Sequence, residues 1–480
     1  MRSSVKPETL AALKAAAGEG GWLDSSSDLS AYTVDFRRLY RGATPLVLLP
    51  RSVEQVATIM AICDRDGVGV VPQGGNTGYC GGATPDESDS QIVLAMKRLN
   101  RVRHIDPAND SMILEAGCTL AEAHAAAQSR DRMFPLTLGS QGTAQIGGNL
   151  STNAGGTAVL RYGMMRDLVL GLEVVLADGR VLCGLKCLRK DNTGYDVKSL
   201  FVGAEGTLGI ITAACLKLFP MSRDSVAALV GLESASRALE LLTHLKGAAG
   251  DGLTTFELMP RFAVELTVEH VPGVANPLTL GAEWYVLVEL TSPNPRQRLA
   301  ELLSESLEQA AAQGMLLDAA IAASIAQSQA MWKLRESVPE AQRRHGASLK
   351  HDISVPVSRI PELIERGAEL IRRLVPEGQV VSYGHVGDGN LHFNVSQRPG
   401  SSDAAFLARA KPLESAMYDL VDSLGGSISA EHGIGRLKAA ELAARTDPAE
   451  LSVMHAVKHA LDPKGILNPG KVLNMRQGIR

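Results

Sequence analysis

Two stretches carry side chains that could do chemistry together. In VVSYGHVGDGNLHFNV, residues 380–395, His385 and His392 flank the dipeptide Asp388-Gly389. Asp-Gly between strand-like arms is a preferred two-residue hairpin turn. With that turn His385 faces His392, and Tyr383 and Asn394 form the next pair on the same face. Directly opposite residues hold their Cβ atoms about 4.5–5.5 Å apart, a reach at which two imidazoles can share one divalent ion. Val386, Leu391, Phe393 and Val395 would cover the other face, toward a core. The same spacing also suits a plain polar histidine pair on a solvated sheet. SAEHGIGRLK, residues 429–438, adds Glu431 and His432. Adjacent strand residues point to opposite sides, so both serve one site only if the backbone turns there, which Gly433 and Gly435 allow. Two histidines and a carboxylate suit zinc or another borderline divalent ion with an open position.

A basic stretch, MWKLRESVPEAQRRHGASLKHDISVPV (residues 331–357), contains Arg335, Arg343, Arg344, His345, Lys350 and His351. A bidentate arginine with a second cation is what a carboxylate ligand wants, although Arg343 and Arg344 read equally as a solvated helix face. His455 and His459 stand at helical spacing in PAELSVMHAVKHALD but lack a companion glutamate, and read as a helix face. His104, His124, His244 and His270 belong to no constellation.

Three further segments could cradle a large ligand. PQGGNTGYCGG (residues 72–82) follows a strand-like run, and its glycines let backbone N–H groups converge on an anion. It matches neither G-x-G-x-x-G before a helix nor the Lys-Ser/Thr ending of a nucleotide-triphosphate loop. PLTLGSQGTAQIGGNLSTNAGG (residues 135–156) has no charged residue, unlike an ordinary exposed loop. VGAEGTLGIIT (residues 202–212) adds more glycines. A pyrophosphate joined to a planar heterocycle would use both the N–H groups and the hydroxyls of such segments.

The elements that must position these groups are legible in outline. SVEQVATIMAICDRDG reads as a helix with Ser52 as its N-cap and Gly67 as its stop. VGVVPQGG, QIVLAM, RVRHID and SMILEAG read as strands, TLAEAHAAAQSRD as a helix, and VLGLEVVLADGRVL as a hairpin. Residues 135–163 show no period. Beyond Pro220, VAALVGL, ASRALELLTHLKGA, EWYVLVEL and the helix in PRQRLAELLSESLEQAAAQG alternate strand with helix, an α+β layer with helices on one face of a sheet. LDPKGILNPGKVL is a Pro/Gly-punctuated tail.

The order of the three glycine-rich elements resembles the flavin-binding domain of the vanillyl-alcohol oxidase superfamily. LRYGMMRDLVLGLEVVLADG, KDNTGYDVKSLFVGAEGTLGIIT and the two histidine segments sharpen this. Over residues 40–475 the chain resembles the FAD-dependent D-2-hydroxyacid dehydrogenases of the D-lactate and D-2-hydroxyglutarate branch. The resemblance implies an α+β chain with a two-lobed FAD-binding domain at 1–220. A substrate (cap) domain with the metal site follows at 221–435, and a segment at 436–480 packs back on the FAD domain. It implies that FAD contacts Pro72, Gly74, Gly75, Asn76, Thr77, Gly78, Gly139, Ser140, Gly142, Thr143, Gly147, Gly148, Ser151, Asn153, Gly206, Ile211 and Asn468. Asn76 stands where some members carry a histidine bonded to the flavin, so the FAD is expected to be dissociable. The resemblance makes His385, His392 and Glu431 the ligands of a divalent metal, with zinc the expected ion, and His432 the base. Arg335 and Lys350 become carboxylate contacts, and Tyr383 and Asn394 further substrate contacts. Pro339 departs from the 2-hydroxyglutarate enzymes, which place a threonine four residues after that arginine; this leaves D-lactate and D-malate beside D-2-hydroxyglutarate as candidate substrates.

The implied reaction is hydride transfer from a D-2-hydroxy acid to flavin N5, giving the 2-keto acid. The electrons pass to an external acceptor, for which an electron-transfer flavoprotein, a quinone or a keto acid are open. The rivals are a metal-dependent hydrolase without flavin, which leaves the glycine-rich elements unexplained, and a non-catalytic flavin subunit, against which the intact metal and base residues argue. Composition excludes other classes. The chain has 480 residues with a net charge of −4, so nothing advertises a nucleic-acid partner. Hydrophobic residues at 45% exclude a disordered chain. No apolar run reaches the roughly 18 residues of a membrane helix. The N-terminus, with Arg2 and Lys6 followed by Glu8, reads as the start of a helix rather than a signal segment. A cytoplasmic location is therefore expected, with six free thiols (Cys63, Cys80, Cys118, Cys183, Cys187 and Cys215). A homodimer is compatible with all of this.

Overall fold

The computed structural model describes residues 4–398, 400 and 402–473. Arg2 and the end of the 436–480 segment lie outside the described residues. The chain divides into two compact units, one of residues 1–156, 163–221 and 431–480, the other of residues 157–162 and 222–430.

The first unit holds two principal sheets. One has the order Trp22–Leu23, Val47–Leu48, Gln91–Ala95, Gly69–Gln73, and its inner pairings are parallel. The helix Val53–Asp66 makes the parallel crossover. Ser52 caps it by accepting from the Gln55 N–H, and Gly67 ends it with φ 69°. Its inward residues Val56, Ile59, Met60 and Cys63 join Leu46, Leu48, Val70 and Ile92 in one core. The second sheet is antiparallel, in the order Val102–Asp106, Ser111–Glu115, Ile210–Lys217, Val169–Val175, Val181–Gly184. The tail after the helix Pro448–Leu461 returns to the first sheet. Val70 donates its N–H to Ile466 O at 2.8 Å and accepts from the Asn468 N–H at 2.8 Å. Buried Lys458 holds the turn between: its Nζ donates to Thr207 O (2.7 Å), to Leu467 O (3.0 Å) and to the Asp462 carboxylate. Asp462 in turn accepts from the Ile466 and Leu467 N–H groups at 2.9 and 2.8 Å.

The expectation of six free thiols is corrected here: Cys187 and Cys215 are joined in a disulfide, with Cα atoms 5.9 Å apart. Cys215 pairs with Gly171 across the sheet, and a Cβ on Gly171 would lie 2.7 Å from Lys186 O. The missing side chain lets the chain before Cys187 cross close beside the strand of Cys215.

The second unit has an antiparallel sheet in the order Leu253–Pro260, Trp284–Ser292, Asp224–Leu232, Asp318–Ile321. A smaller sheet centres on Asn390–Gln397, which pairs with Ser348–Leu349, Asp352–Ser354 and Gly378–Tyr383. An isolated bridge joins the two sheets: Leu258 N–H donates to Gly384 O at 2.9 Å, and Gly384 N–H returns to Leu258 O at 3.0 Å. Helices cover both faces, not one. Phe256, Leu258, Val286, Val288, Leu391, Phe393 and Val395 face a core shared with Leu241, Leu303, Leu363 and Met417. The alternate residues Met259, Tyr285, Leu287, Val381 and Tyr383 pack with Val264, Met331, Leu334 and Val338, from the helices Arg261–His270, Ile325–Glu336 and Val338–His345. Strands apolar on both sides need cover on both.

Lys458→Ala would leave the buried Asp462 carboxylate without its cation, a change that costs about 3–5 kcal/mol. The urea midpoint of the variant is expected to fall accordingly; an unchanged midpoint would show that this pair does not hold the tail.

Candidate active site

The glycine-rich elements meet within the first unit. Gly74 and Gly75 follow the strand Gly69–Gln73. A Cβ on Gly75 would lie 2.0 Å from Thr143 O, so the first element rests directly on the second. A Cβ on Gly206, whose φ is 70°, would lie 2.4 Å from Pro72 Cγ, which seats the third element on the first. Glu205 N–H donates to Ser151 O at 2.8 Å, and Asn468 Nδ2 donates to Glu205 O at 2.7 Å, which ties the second element and the tail to the third. Ser140 O accepts from the Thr143 and Ala144 N–H groups in a tight turn. Ile211 is buried in the strand Ile210–Lys217, and Thr77 is half-buried. Asn76 takes a left-handed φ of 53° and donates from Nδ2 to Val34 O at 2.9 Å. Asn153 is also left-handed and accepts from the Arg166 N–H at 2.8 Å. Residues 135–163 are not without pattern: Ile146–Ser151 is a short helix burying Ile146 and Leu150, a period hidden by Gly147 and Gly148.

These residues suit a bound dinucleotide. Gly78, Gly139, Gly142 and Gly148 have open space where a Cβ would stand. Gln145 Oε1, Asn149 Nδ2 and Asn468 Oδ1 are buried without a hydrogen-bond partner. Such orphans are rare unless a ligand or water completes them.

The histidine hairpin lies in the second unit, and its register differs from expectation. Tyr383 pairs with His392 and Val381 with Asn394, so Tyr383 and Asn394 are not opposite. The connection is the six residues 384–389, with Asn390 N–H closing on His385 O, rather than a two-residue turn. The shift is two residues, and a shift of two keeps every side chain on its face. His385 and His392 therefore still meet, with ring centroids 5.7 Å apart.

What orders them is Glu257, which the sequence reading missed. It lies one residue before the bridging Leu258, is 1% exposed and faces away from Phe256 and the large core. Its Oε1 is 2.5 Å from His385 Nδ1, and its Oε2 accepts from Arg335 Nε at 2.8 Å and pairs with Nη2 at 2.7 Å. Burial pushes the Glu257 carboxyl up, but the charges of His385 and Arg335 and their hydrogen bonds pull it further down, to about 2. An ionised carboxylate only accepts. Nδ1 of His385 therefore carries the proton, and Nε2 keeps its lone pair for a metal or an acid proton. The guanidinium of Arg335 also lies over the Tyr383 ring, 4.8 Å from its centroid.

Asp352, also missed, pairs with His392 in register and has Oδ1 3.9 Å from His392 Nδ1. Its carbonyl accepts from the Ala430 N–H at 3.4 Å. Glu431, expected as the third partner of His385 and His392, belongs to the first unit. Two imidazoles so close together suit a borderline divalent ion. Asn394 is turned to Gln342, to which Nδ2 donates at 2.9 Å. Lys350 is exposed, and Pro339 is the second residue of the helix Val338–His345, where proline is tolerated. The rings of His270 and His345 meet at a tilt of 58° with centroids 5.5 Å apart, a contact not foreseen. His432 belongs to the first unit, where its ring lies 4.6 Å from that of Tyr79.

Comparison with known proteins agrees. Residues 44–183 match the FAD binding domain family, and residues 221–472 match the C-terminal domain of FAD linked oxidases. The chain is 37% identical to a mitochondrial D-2-hydroxyglutarate dehydrogenase of Arabidopsis thaliana, over 98% of this chain and 82% of that one. It is 40% identical to the mitochondrial D-2-hydroxyglutarate dehydrogenase of Rattus norvegicus, over 99% and 86%. In fold it is similar to p-cresol methylhydroxylase with substrate bound, at a TM-score of 0.75 and 17% identity over 98% of both chains. The chain belongs to the FAD-linked oxidases of the vanillyl-alcohol oxidase fold. Within them it is an FAD-linked D-2-hydroxyacid dehydrogenase, an oxidoreductase acting on CH–OH groups. The relatives named above are mitochondrial, which overturns the expectation of a cytoplasmic location. Among the described residues no helix is long and apolar enough to cross a membrane.

Gly75→Ala would force the first and second glycine-rich elements apart. Overpacking of this kind costs about 1–3 kcal/mol, or about 5–150-fold in affinity. The variant is expected to be purified with less than one FAD per chain; full, tightly held FAD would contradict the contact.

Proposed function

We propose that the protein oxidises D-2-hydroxyglutarate to its 2-keto acid, using dissociable FAD and a divalent metal held by His385, His392 and Glu431. The observation that carries the substrate is the 37–40% identity to D-2-hydroxyglutarate dehydrogenases over nearly the whole chain. D-Malate and D-lactate are the competing substrates, because Pro339, four residues after Arg335, offers a second carboxylate no hydroxyl.

Bound FAD supplies the two-electron acceptor, and a bound divalent ion supplies a Lewis acid that lowers the pKa of the substrate hydroxyl. Zinc suits the two imidazoles and the carboxylate. The rest is done by the chain. Arg335 offers the substrate carboxylate the Nη1 edge that Glu257 does not occupy, and Lys350 adds a second cation. Tyr383 packs against both Arg335 and His392, so it limits how the carboxylate can turn. His432 accepts the hydroxyl proton as the C2 hydrogen leaves with its electron pair. The hydroxyl carbon becomes a carbonyl, and charge and electrons balance. FAD would lie along Pro72, Gly74 to Gly78, Gly139, Ser140, Gly142, Thr143, Gly147, Gly148, Ser151, Asn153, Gly206, Ile211 and Asn468.

Mixing the oxidised holoenzyme anaerobically with each acid tests the reading. D-2-Hydroxyglutarate should bleach the flavin fastest, the L-isomer should not bleach it, and His432→Ala should slow the bleaching by about 10²–10⁴-fold while FAD stays bound. Faster bleaching by D-lactate or D-malate would reassign the substrate, and a wild-type rate in His432→Ala would remove the base.

A further inference from the structure

Glu205 is a buried acid in the third glycine-rich element, left-handed at φ 50°. Its carboxylate is hydrogen-bonded to one loop. Oε1 accepts from the Ile434 N–H at 2.7 Å and from the Gly435 N–H at 3.2 Å, and Oε2 accepts from Gly435 at 2.9 Å. That loop begins Glu431-His432. Gly433 and Gly435 are left-handed, at φ 73° and 52°, so the N–H groups of Ile434 and Gly435 turn inward as a concave anion site. Here the chain fills that site with its own side chain. A Cβ on Gly433 would stand 2.8 Å from Glu205 Oε1, so glycine is what admits the carboxylate.

The other end of Glu205 is equally fixed. Its N–H is bonded to Ser151 and its carbonyl to Asn468. The loop has a second anchor at Cys80, whose carbonyl accepts from the Arg436 and Leu437 N–H groups at 2.8 and 3.2 Å and whose Sγ donates to Gly433 O at 3.3 Å. Cys80 holds the loop at Gly433 and again beyond Gly435, and Glu205 grips the two N–H groups between, those of Ile434 and Gly435. Burial pushes the Glu205 carboxyl up to about 7, against the downward pull of the Ile434 and Gly435 N–H groups and the charge of Lys438.

We propose that Glu205 is the positioning residue of His432: by filling the backbone site at Ile434 and Gly435 it fixes the imidazole relative to the glycine-rich cradle. The proposal rests on His432 being the base. The test uses the holoenzyme and the rate of anaerobic flavin bleaching by D-2-hydroxyglutarate in four proteins: wild type, Glu205→Gln, His432→Ala and the double variant. Glu205→Gln keeps the size of the side chain and one acceptor but sets an amide NH₂ against the loop N–H groups. It is expected to bleach about 10–100-fold more slowly, with FAD content and KM near wild type. In the His432→Ala background it should add nothing, since it acts through that imidazole. A wild-type rate in Glu205→Gln beside a slow His432→Ala would overturn the positioning role alone. Multiplicative losses in the double variant, or a loss that tracks FAD content, would also overturn it. A wild-type rate in His432→Ala would overturn the base assignment, and this proposal with it. If Glu205→Gln does not fold, Gly433→Ala, which pushes the carboxylate from the same site, is read in its place by the same criteria.

Discussion

A single buried carboxylate sets the chemistry of the second unit. Glu257 binds an imidazole through one oxygen and a guanidinium through the other. Burying a lone carboxylate is costly, and so is burying a lone arginine. Each is tolerable here because the other is present: Arg335 is 6% exposed, Glu257 1% and His385 7%. The cluster also has a chemical consequence. It selects the His385 tautomer with a proton on Nδ1 and leaves Nε2 to bind, the arrangement usual for a metal-ligating histidine with a carboxylate behind it. The isolated bridge between Leu258 and Gly384 makes this possible, because it sets Glu257 beside His385 across two sheets.

In the first unit the constraint is steric. The glycine-rich elements lie on one another where a Cβ would strike backbone, at Gly75 against Thr143 and at Gly206 against Pro72. Elsewhere in the same elements glycine leaves space and buried polar atoms are left unmatched. The first group of glycines builds the cradle; the second leaves room for the cofactor. The cradle is closed by the tail, through the bonds of Asn468 and the Lys458–Asp462 pair.

Much of this was legible because it is local. A helix that starts at Ser52 and stops at Gly67 is written in its own caps, and the glycine-rich elements announce themselves by composition. The histidine pair was legible although its register was not: the turn has six residues, and an error of two leaves the face unchanged. What stayed hidden spans long separations. Glu257 is 128 residues from His385 and 78 from Arg335. Its one local signal is an acid at an inward position of the otherwise apolar strand FELM. Cys187 and Cys215, 28 residues apart, met because Gly171 lets the chain cross beside the central strand. Glu205 looked like one more member of a glycine-rich segment, since the loop it holds lies 230 residues away.

The most direct measurement is a calorimetric titration of zinc into the metal-free holoenzyme and its Glu257→Gln variant. The amide cannot hold Nδ1 and the guanidinium as an ionised carboxylate does. Zinc affinity of the variant is expected to be lower by about 10–100-fold at unchanged FAD content. Equal affinity in the two proteins would contradict the claim that this carboxylate organises the site.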